Sequence, residues 1–500
     1  MLIATMFCAQ LVCAFDVDGD GPVRFGLPVP QGVLERGLRL RGDRGARMQW
    51  SPLFGSPPAS GDRLWIEVAV IGQHGRARLE LGGDGPSDPA RGSVVQVFDE
   101  AVDRQGEEVL SHSRRVWRWA DGSEDRRERR ILAEADAERE EGEAITTESD
   151  GLAARRARVR IQASFWRDAG VLPPADGSGR FLRDELLGAL PFLRRAPGAR
   201  GKGDFVRGED GATVTNGEFD TALAFARLAL CTGRSDLLEQ ARACAWHLCD
   251  VDLDRRSGLP FRHGGDHRSA GPETGHVWVH GALLVASLYA DRDLLAEVLS
   301  IATSLAQRAR ATEHREGIAD RLRDEAWPLC ELEASLRFVD SEPIRDAADH
   351  LAAAIEARFD PVLGCFRYGE GETRAGKVYR DRLWLSAGIL IPALRAHAAR
   401  VGGPSTTADA TEAAMLPLLL SGREGVAIQV WRVGKDSFDP TQVTGVAEPV
   451  LLLDGLSVAA RRRVLSRSNV RAAWKDVLDP RHDDLVTRFT MLARCSWVMR

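Results

Sequence analysis

The segment ALAFARLALCTGRSDLLEQARACAWHL, residues 222–248, decides the fold. Ala222, Phe225, Ala226 and Ala229 recur at the 3.6-residue period of a helix, and after a break at Thr232-Gly233 the residues Leu238, Ala241, Ala245 and Leu248 form a second stripe. This pattern predicts two helices joined by a tight turn. The unit recurs in GALLVASLYADRDLLAEVLSIATSLA (281–306) and in WPLCELEASLRFVDSEPIRDAADHLAAAI (327–355), and a fourth apolar run, RLWLSAGILIPALRAHAA (382–399), follows. The turn residues Asp236, Asp293 and Glu342 stand 57 and 49 residues apart, too irregular for a TPR or HEAT array. Long connections between the hairpins fit a closed α/α barrel, or toroid, whose loops line a cleft. The period predicts an almost wholly helical chain from about residue 210 to the end.

Upstream the period is 2. DRLWIEVAVIG (62–72) is a β-rich run ending at a glycine, and in ARVRIQASFW (157–166) Ala157, Val159, Ile161, Ala163 and Phe165 alternate with polar residues, as in a half-buried strand. Residues 120–150 are dense in Arg, Glu and Asp and read as a solvated face. Residues 170–210 are rich in Gly, Pro and Arg, a linker with a helix, FLRDELLGALPFL, inside it. The fold class is therefore α+β and multidomain: an N-terminal β barrel or sandwich region (1–170), a linker (171–210) and an α/α toroid (211–500).

The composition agrees. Hydrophobic residues make up 44% and charged residues 28% of the 500, enough apolar material for a large core. A net charge of −6, with 67 basic and 73 acidic residues intermixed, provides no broad positive field, so neither nucleic acid nor an anionic membrane is the expected partner. An anionic substrate must be met by local arginines. No run approaches a membrane span of about 20 apolar residues. The eight cysteines form no CxxC pair, and buried thiols are expected rather than zinc knuckles or disulfides. MLIATMFCAQLVCAF (1–15) has a small-residue site like that of a signal peptide but no basic leader, which favours a first β-strand and a cytoplasmic protein over a secreted one.

GPVRFGLPVPQGVL (21–34), TNGEFDTALAFARLALCTGRSDLLEQA (215–241), HLCDVDLD (247–254), HRSAGPETGHVWVHGALL (267–284) and RDEAWPLCELEASLRFVD (323–340) occur in an order that resembles the exo-rhamnogalacturonan lyase-like family. The resemblance implies an N-terminal RIFT barrel, a central β-sandwich and a C-terminal α/α toroid. It also implies a polysaccharide lyase that cleaves a pectin-type acidic glycan by β-elimination. This chain is a shortened member: only residues 75–170 are available for a sandwich, and His280 stands where members often carry an acid before Gly281.

HGGDHRSAGPETGHVWVHG (263–281) carries four of the 11 histidines: His263, His267, His276 and His280. Spacing of i, i+4 puts His276 and His280 on one face if that stretch is helical, whereas Gly264 and Gly265 favour a loop between His263 and His267. Neither pair is His-Glu-x-x-His, and no metal is expected here. The segment is read as a polar wall opening onto the cleft. β-Elimination at a uronic acid needs a base for the C5 proton, groups that stabilise the enolate-like carboxylate, and an acid for the leaving oxygen. His263, His267, His276 and, from KVYRDRLW (377–384), Tyr379 are the catalytic candidates. Arg268, Trp278, His280, Arg380, Asn216 and Asp220 are the substrate-binding candidates, with Arg268 placed to pair with a carboxylate. Trp278 reads equally as a core aromatic, and Tyr379, Arg380 and Arg382 equally as a solvated loop.

Glu218 has a plain structural reading as well, since Thr215 and Glu218 fit the capping box T-x-x-E. DVDLD (250–254) and DVDGDG (16–21) resemble calcium loops, but the twelfth residue is Phe261 in one and Leu27 in the other instead of the bidentate Glu, so no EF-hand is expected and calcium of another geometry stays open. No cofactor is required. Two further readings remain: a toroidal glycoside hydrolase using carboxylates among Glu218, Asp220, Asp250 and Asp252, and a non-catalytic glycan-binding scaffold.

Overall fold

The computed structural model describes residues 11–18, 23–30, 38–41, 47–54, 63–71, 75–81, 95–99, 109–118, 124–132, 146–149, 158–161, 163–172, 180–196, 203–208, 211–311, 321–361, 365–366, 379–380, 386–421, 429–433, 438–442, 453–466, 478–479, 481 and 484–495.

Eleven strands come first: β1 (Leu11–Asp18), β2 (Val23–Pro30), β3 (Leu38–Arg41), β4 (Arg47–Pro52), β5 (Arg63–Ile71), β6 (Gly75–Leu81), β7 (Val95–Asp99), β8 (Val109–Arg118), β9 (Glu124–Leu132), β10 (Thr146–Ser149) and β11 (Arg158–Ile161). They pair antiparallel in three sheets, ordered β11-β1-β6-β3, β2-β5-β4 and β10-β9-β8-β7. Three separately hydrogen-bonded sheets are thus what the described residues show where a barrel and a sandwich were anticipated. The last five residues of the signal-like run, Leu11 to Phe15, are strand: Leu11–Asp18 pairs with both β6 and β11, and Cys13 and Phe15 are buried.

Leu64 to Val68 of β5 are buried without interruption, as in a strand covered on both faces. On one side Phe15 of β1 meets Phe25 of β2 edge-on at 5.0 Å. On the other, the helices close in. Trp65 stacks on Phe338 with centroids 6.0 Å apart. The buried Glu67 is met by Arg292, whose guanidinium also donates to the carbonyls of Leu53 and Pro52. Gly26 lies so close to this surface that a Cβ there would come within 1.8 Å of the Ser287 carbonyl oxygen.

The alternation at 157–166 carries only as far as Ile161. Helix α1 (Ala163–Asp168) follows, and it buries Trp166 in the helical core. The helix anticipated in the Gly- and Pro-rich stretch is α2 (Arg180–Ala189), with Leu186 and Ala189 buried in the same core. A two-stranded ribbon, β12 (Val206–Arg207) and β13 (Thr213–Val214), leads into the first hairpin.

The hairpins are α3 (Thr221–Thr232) with α4 (Ser235–Asp250), α5 (His280–Leu288) with α6 (Arg292–Ala311), α7 (Arg321–Ser335) with α8 (Glu342–Glu356), and α9 (Ile391–Val401) with α10 (Thr406–Ser421). The strand pair β14 (Leu253–Asp254) and β15 (Leu259–Pro260) lies between the first two hairpins. Burial separates two layers. In α5 every residue from Gly281 to Leu288 is buried, whereas α8 buries only the stripe Ile344, Ala347, Ala348, Leu351, Ala352 and Ile355. A helix apolar all round lies inside, and a striped one faces water. The inner helices α3, α5, α7 and α9 pack in sequence. After α11 (Val458–Leu465), the last helix α12 (Leu485–Arg494) returns to pack on α3. That return to the first hairpin is the arrangement of an α/α toroid.

The C-terminal half is less purely helical than its period implies. Phe359–Asp360 pairs with Cys365–Phe366, and β18 (Tyr379–Arg380), β19 (Gln429–Val433) and β20 (Phe438–Gln442) form an antiparallel sheet. Among the described residues, Cys13, Cys231, Cys244, Cys249, Cys330 and Cys495 form no disulfide, and burial pushes Cys244 and Cys330 up to about 12, out of the reactive range. No helix among the described residues is long and apolar enough to cross a membrane.

Candidate functional site

The loops at the N-terminal ends of α3 and α5 gather the polar side chains. Asn216, Gly217, Phe219 and Asp220 all have positive φ, between 45° and 68°. A run of left-handed residues that includes three non-glycines is costly, and it persists here because its side chains are tied on several sides.

Asp220 holds the centre. Its Oδ1 accepts from Leu223 N at 3.0 Å, which makes it the N-cap of α3, and its Oδ2 accepts from Gly281 N in the first turn of α5 at 2.9 Å. The anticipated Thr215–Glu218 capping box is therefore not the cap. Glu331 of α7 does the same for α5, accepting from Val279 N at 2.9 Å and His280 N at 3.0 Å. Two buried carboxylates thus face the positive end of one helix. Burial, and after it the charge of Asp220, pushes the Glu331 carboxyl up to about 7, and burial raises Asp220 against the pull of Arg494. Arg494 donates to the Phe219 carbonyl at 3.3 Å and lies 4.7 Å over the Trp327 ring. Burial works against its charge, but Cys330, Glu331 and Asp220 hold its pKa above the ordinary value.

A second cluster is a closed knot of Asp204, His247, Asp252 and His267, all buried. His247 Nε2 and His267 Nδ1 are 3.2 Å apart, and each lies 3.1 Å from Asp252 Oδ1. Asp204 Oδ2 is 3.7 Å from His267 Nδ1. Asp204 is held in turn by the Thr215 hydroxyl and by Asn216 N at 3.1 Å. Burial raises the Asp204 carboxyl, whereas at Asp252 the two imidazoles outweigh burial and hold it below the usual range.

The third cluster is more open. His263, a quarter exposed, has Nδ1 3.3 Å from Glu218 Oε1, and Arg207 donates to Glu218 Oε2 at 2.7 Å. His276 has Nδ1 3.1 Å from Glu273 Oε2, and Arg262 pairs with Glu273 at 3.3 Å. The two imidazoles are edge to face with centroids 5.0 Å apart. His263 thus reaches the solvent edge while His276 is buried behind it, each imidazole with a carboxylate at Nδ1 and each carboxylate with a guanidinium.

The histidines pair differently in space than in the chain. His276 ends a 3-10 turn (Thr274–His276), the chain is extended at Val277, and His280 starts α5, so the two histidines do not share one helix and no helical i, i+4 pair forms. His276 joins His263, and His267 joins His247. His280 turns away, its ring 6.1 Å from Phe338, and burial lowers its pKa well below the ordinary value. That placement removes it from the shared surface.

Trp278 is 3% exposed and boxed in by Phe219, His276 and Trp327, so it packs as a core aromatic and presents no open platform. Asn216 is a staple: its Nδ2 donates to the carbonyls of Phe261, Arg262 and His267. Arg268 is exposed beside the cluster, on a turn where its N donates to Asp266 Oδ1 at 2.7 Å. Tyr379 and Arg380 form β18 opposite Val433 and Arg432, but their side chains, and Arg382 altogether, lie outside the described residues, as do residues 19–21 of DVDGDG. In DVDLD, Asp254 caps its own turn through Arg256 N and Ser257 N, and Asp252 belongs to the knot, so the three acids do not converge as a calcium loop.

His247, Asp204, Glu331, Arg494, Arg207 and Glu273 were not singled out by sequence. His247 was legible as the start of HLCDVDLD, five residues before Asp252. Nothing marked Arg494, 163 positions from Glu331.

No family model matches the chain, and no curated protein matches it. Solved structures do resemble it. A sugar epimerase from a ruminal bacterium aligns over 60% of this chain and 86% of its own, with a TM-score of 0.44 and 12% identity. A polysaccharide lyase aligns over 56% and 90%, with a TM-score of 0.38 and 12% identity. An inactive variant of an α-1,6-mannanase of Salegentibacter, in complex with α-1,6-mannotetrose, aligns over 64% and 99%, with a TM-score of 0.42 and 12% identity.

Proposed function

We propose that the protein is a polysaccharide lyase that cleaves a pectin-type, rhamnogalacturonan-like acidic glycan by β-elimination, with His263 and His276 as its proton-transfer pair. The observation that carries this reading is the pairing itself: two imidazoles 5.0 Å apart, with Glu218 and Glu273 against their Nδ1 atoms. A carboxylate at Nδ1 favours the proton there and makes Nε2 the basic nitrogen. One ring then takes the C5 proton and the other protonates the leaving oxygen. Arg207 and Arg262, with the exposed Arg268, supply the cationic surroundings in which a uronate carboxylate and the enolate-like charge that develops from it are stabilised.

The ordered motifs at 215–241, 247–254, 267–284 and 323–340 support the same substrate class. His267, a candidate by spacing, is engaged in the buried knot, and the acid-base role falls to His263 and His276. The hydrolase reading loses its leading acids for a structural reason. Asp220 is used up by two backbone amides and Asp252 by two imidazoles, which leaves neither to attack or protonate a glycoside.

Incubation with rhamnogalacturonan and other acidic glycans separates the alternatives. Elimination creates a conjugated double bond that absorbs in the ultraviolet. His276→Ala and His263→Ala should each lower that rate by on the order of 100-fold or more, with circular dichroism unchanged. New reducing ends without absorbance would replace this reading by hydrolysis, and binding without either product would replace it by a scaffold.

A further inference from the structure

We infer that Asp204, His247, Asp252 and His267 form a closed four-ligand site for a divalent transition metal of the zinc class, with a structural role. The four come from separate pieces of chain: the irregular segment before β12, the end of α4, the turn into β14 and the loop after β15. All are nearly inaccessible, at 1%, 4%, 1% and 8% exposure respectively. Asp204, His247 and His267 present ligand atoms within 4.8 Å of one another, and Asp252 Oδ1 adds the fourth at 3.1 Å from both imidazoles.

The spacing is that of a coordination shell. Zinc binds imidazole nitrogen and carboxylate oxygen at about 2.0–2.1 Å in a tetrahedron, whose edges are then about 3.3–3.4 Å. The ligand-to-ligand distances of 3.1, 3.1, 3.2 and 3.7 Å bracket that edge.

Protons alone satisfy this arrangement poorly. His247 Nε2, His267 Nδ1 and Asp252 Oδ1 form a triangle of 3.1–3.2 Å sides. If both nitrogens carry hydrogen, two N–H groups compete within the triangle, and if only one does, a lone pair is left facing another. A cation at the centre meets all three lone pairs at once. A second observation points the same way: Asp252 Oδ2 is buried and has no hydrogen-bond partner among the described residues, a costly state for a polar atom. Asp204 has the outer support of a metal ligand, the Thr215 hydroxyl on one oxygen and Asn216 N on the other. Two imidazoles and two carboxylates suit zinc rather than calcium or magnesium, which take oxygen ligands.

With four protein ligands and no access to solvent, the site is structural. It clamps the loop that carries His263 against the end of α4, and Asn216 staples the same loop through three carbonyls.

The full chain is dialysed against micromolar zinc, freed of excess, and analysed for bound metal by mass spectrometry and for thermal stability with and without chelator. One equivalent is expected, with Tm falling on chelation. Cobalt(II) in its place should give the intense visible absorption of a tetrahedral site. Asp252→Asn and His247→Ala should each lose the metal, whereas His276→Ala, which alters the other His-carboxylate cluster, should retain it. Should a His247 variant fail to fold, Asp252→Asn, which keeps the side-chain shape, still reads the site through a metal affinity lowered at least 10-fold. No bound metal in the full chain, metal retained by both knot variants, or metal lost from His276→Ala would each overturn the assignment.

Discussion

Replacing Gly281 by alanine tests whether the centre of the toroid is as tight as the side-chain network implies. A Cβ at this position would lie 2.1 Å from Leu223 N, 2.2 Å from Asp220 Oδ1 and 2.7 Å from Leu223 Cα. Two of these are backbone atoms of α3, which is buried along most of its length and cannot move aside alone. Overpacking of a tight core costs about 1–3 kcal/mol. Pushing the helices apart also lengthens the Gly281 N to Asp220 Oδ2 bond, now 2.9 Å, a charge-assisted contact of about 1.5–3 kcal/mol. The two together predict a loss of about 3–5 kcal/mol, a large share of the roughly 5–15 kcal/mol of a typical domain. Gly217 provides the control. It has φ +67° but nothing within 4 Å of a Cβ, so alanine there costs only the left-handed conformation, about 1–2 kcal/mol. Urea unfolding followed by far-ultraviolet circular dichroism should show the midpoint of Gly281→Ala displaced at least twice as far as that of Gly217→Ala, at equal m. Equal or reversed displacements would refute the close approach of α5 to α3.

Glu331 makes stability depend on pH. Its folded pKa of about 7, above the ordinary 4.5, means that the native state keeps a proton the unfolded chain releases. The contribution is complete below about pH 4.5 and is lost as pH rises through 7, about 3 kcal/mol in all. Glu331→Gln should flatten that part of the stability–pH curve, and an unchanged slope would count against the buried carboxyl. Where the sheet β2-β5-β4 meets the helices, Arg292→Ala leaves Glu67 buried without its cation and two carbonyls without their donor, which predicts a loss of about 2–3 kcal/mol. A midpoint shift equivalent to under about 0.5 kcal/mol, the size of an ordinary surface change, would show that this contact does not hold the two parts together.

The hairpins were legible because burial on one side of a helix imposes a period that no tertiary context rewrites. Of the second stripe, Ala241, Ala245 and Leu248 of α4 are buried and Leu238 is partly buried, with Leu237 the buried leucine instead. The boundaries were less legible where two local preferences competed. Ala163 and Phe165 continued the alternation of β11, yet Trp166 had a place in the helical core and the chain turned helical. At the entry to α3, Thr215 and Glu218 matched a capping box, but Asp220 is one residue from the helix and reaches a second helix as well, which a local motif cannot register. Strand β18 pairs with β19 across about 50 intervening positions, a contact with no local period to announce it.

The site was legible in its residue types and not in its groupings, and the turn at 216–220 shows why. Asn216, Glu218 and Asp220 are alternate residues of one short, mostly left-handed segment, and each enters a different cluster. Asn216 ties the loop of His267 beside the buried knot, the buried Glu218 meets the partly exposed His263 and Arg207, and Asp220 joins α3 to α5. Between them Phe219 fills the space against Trp278 and Trp327 and offers its carbonyl to Arg494. Spacing along a sequence predicts shared faces only when the backbone repeats, as in a helix or strand. A turn of this kind has no repeat, so TNGEFD could announce polar chemistry while concealing that its acids serve two separate purposes. The same reasoning separates His267 from His263: Gly264 and Gly265 let the chain reverse between them, and one imidazole goes inward to Asp252 while the other stays near solvent beside His276.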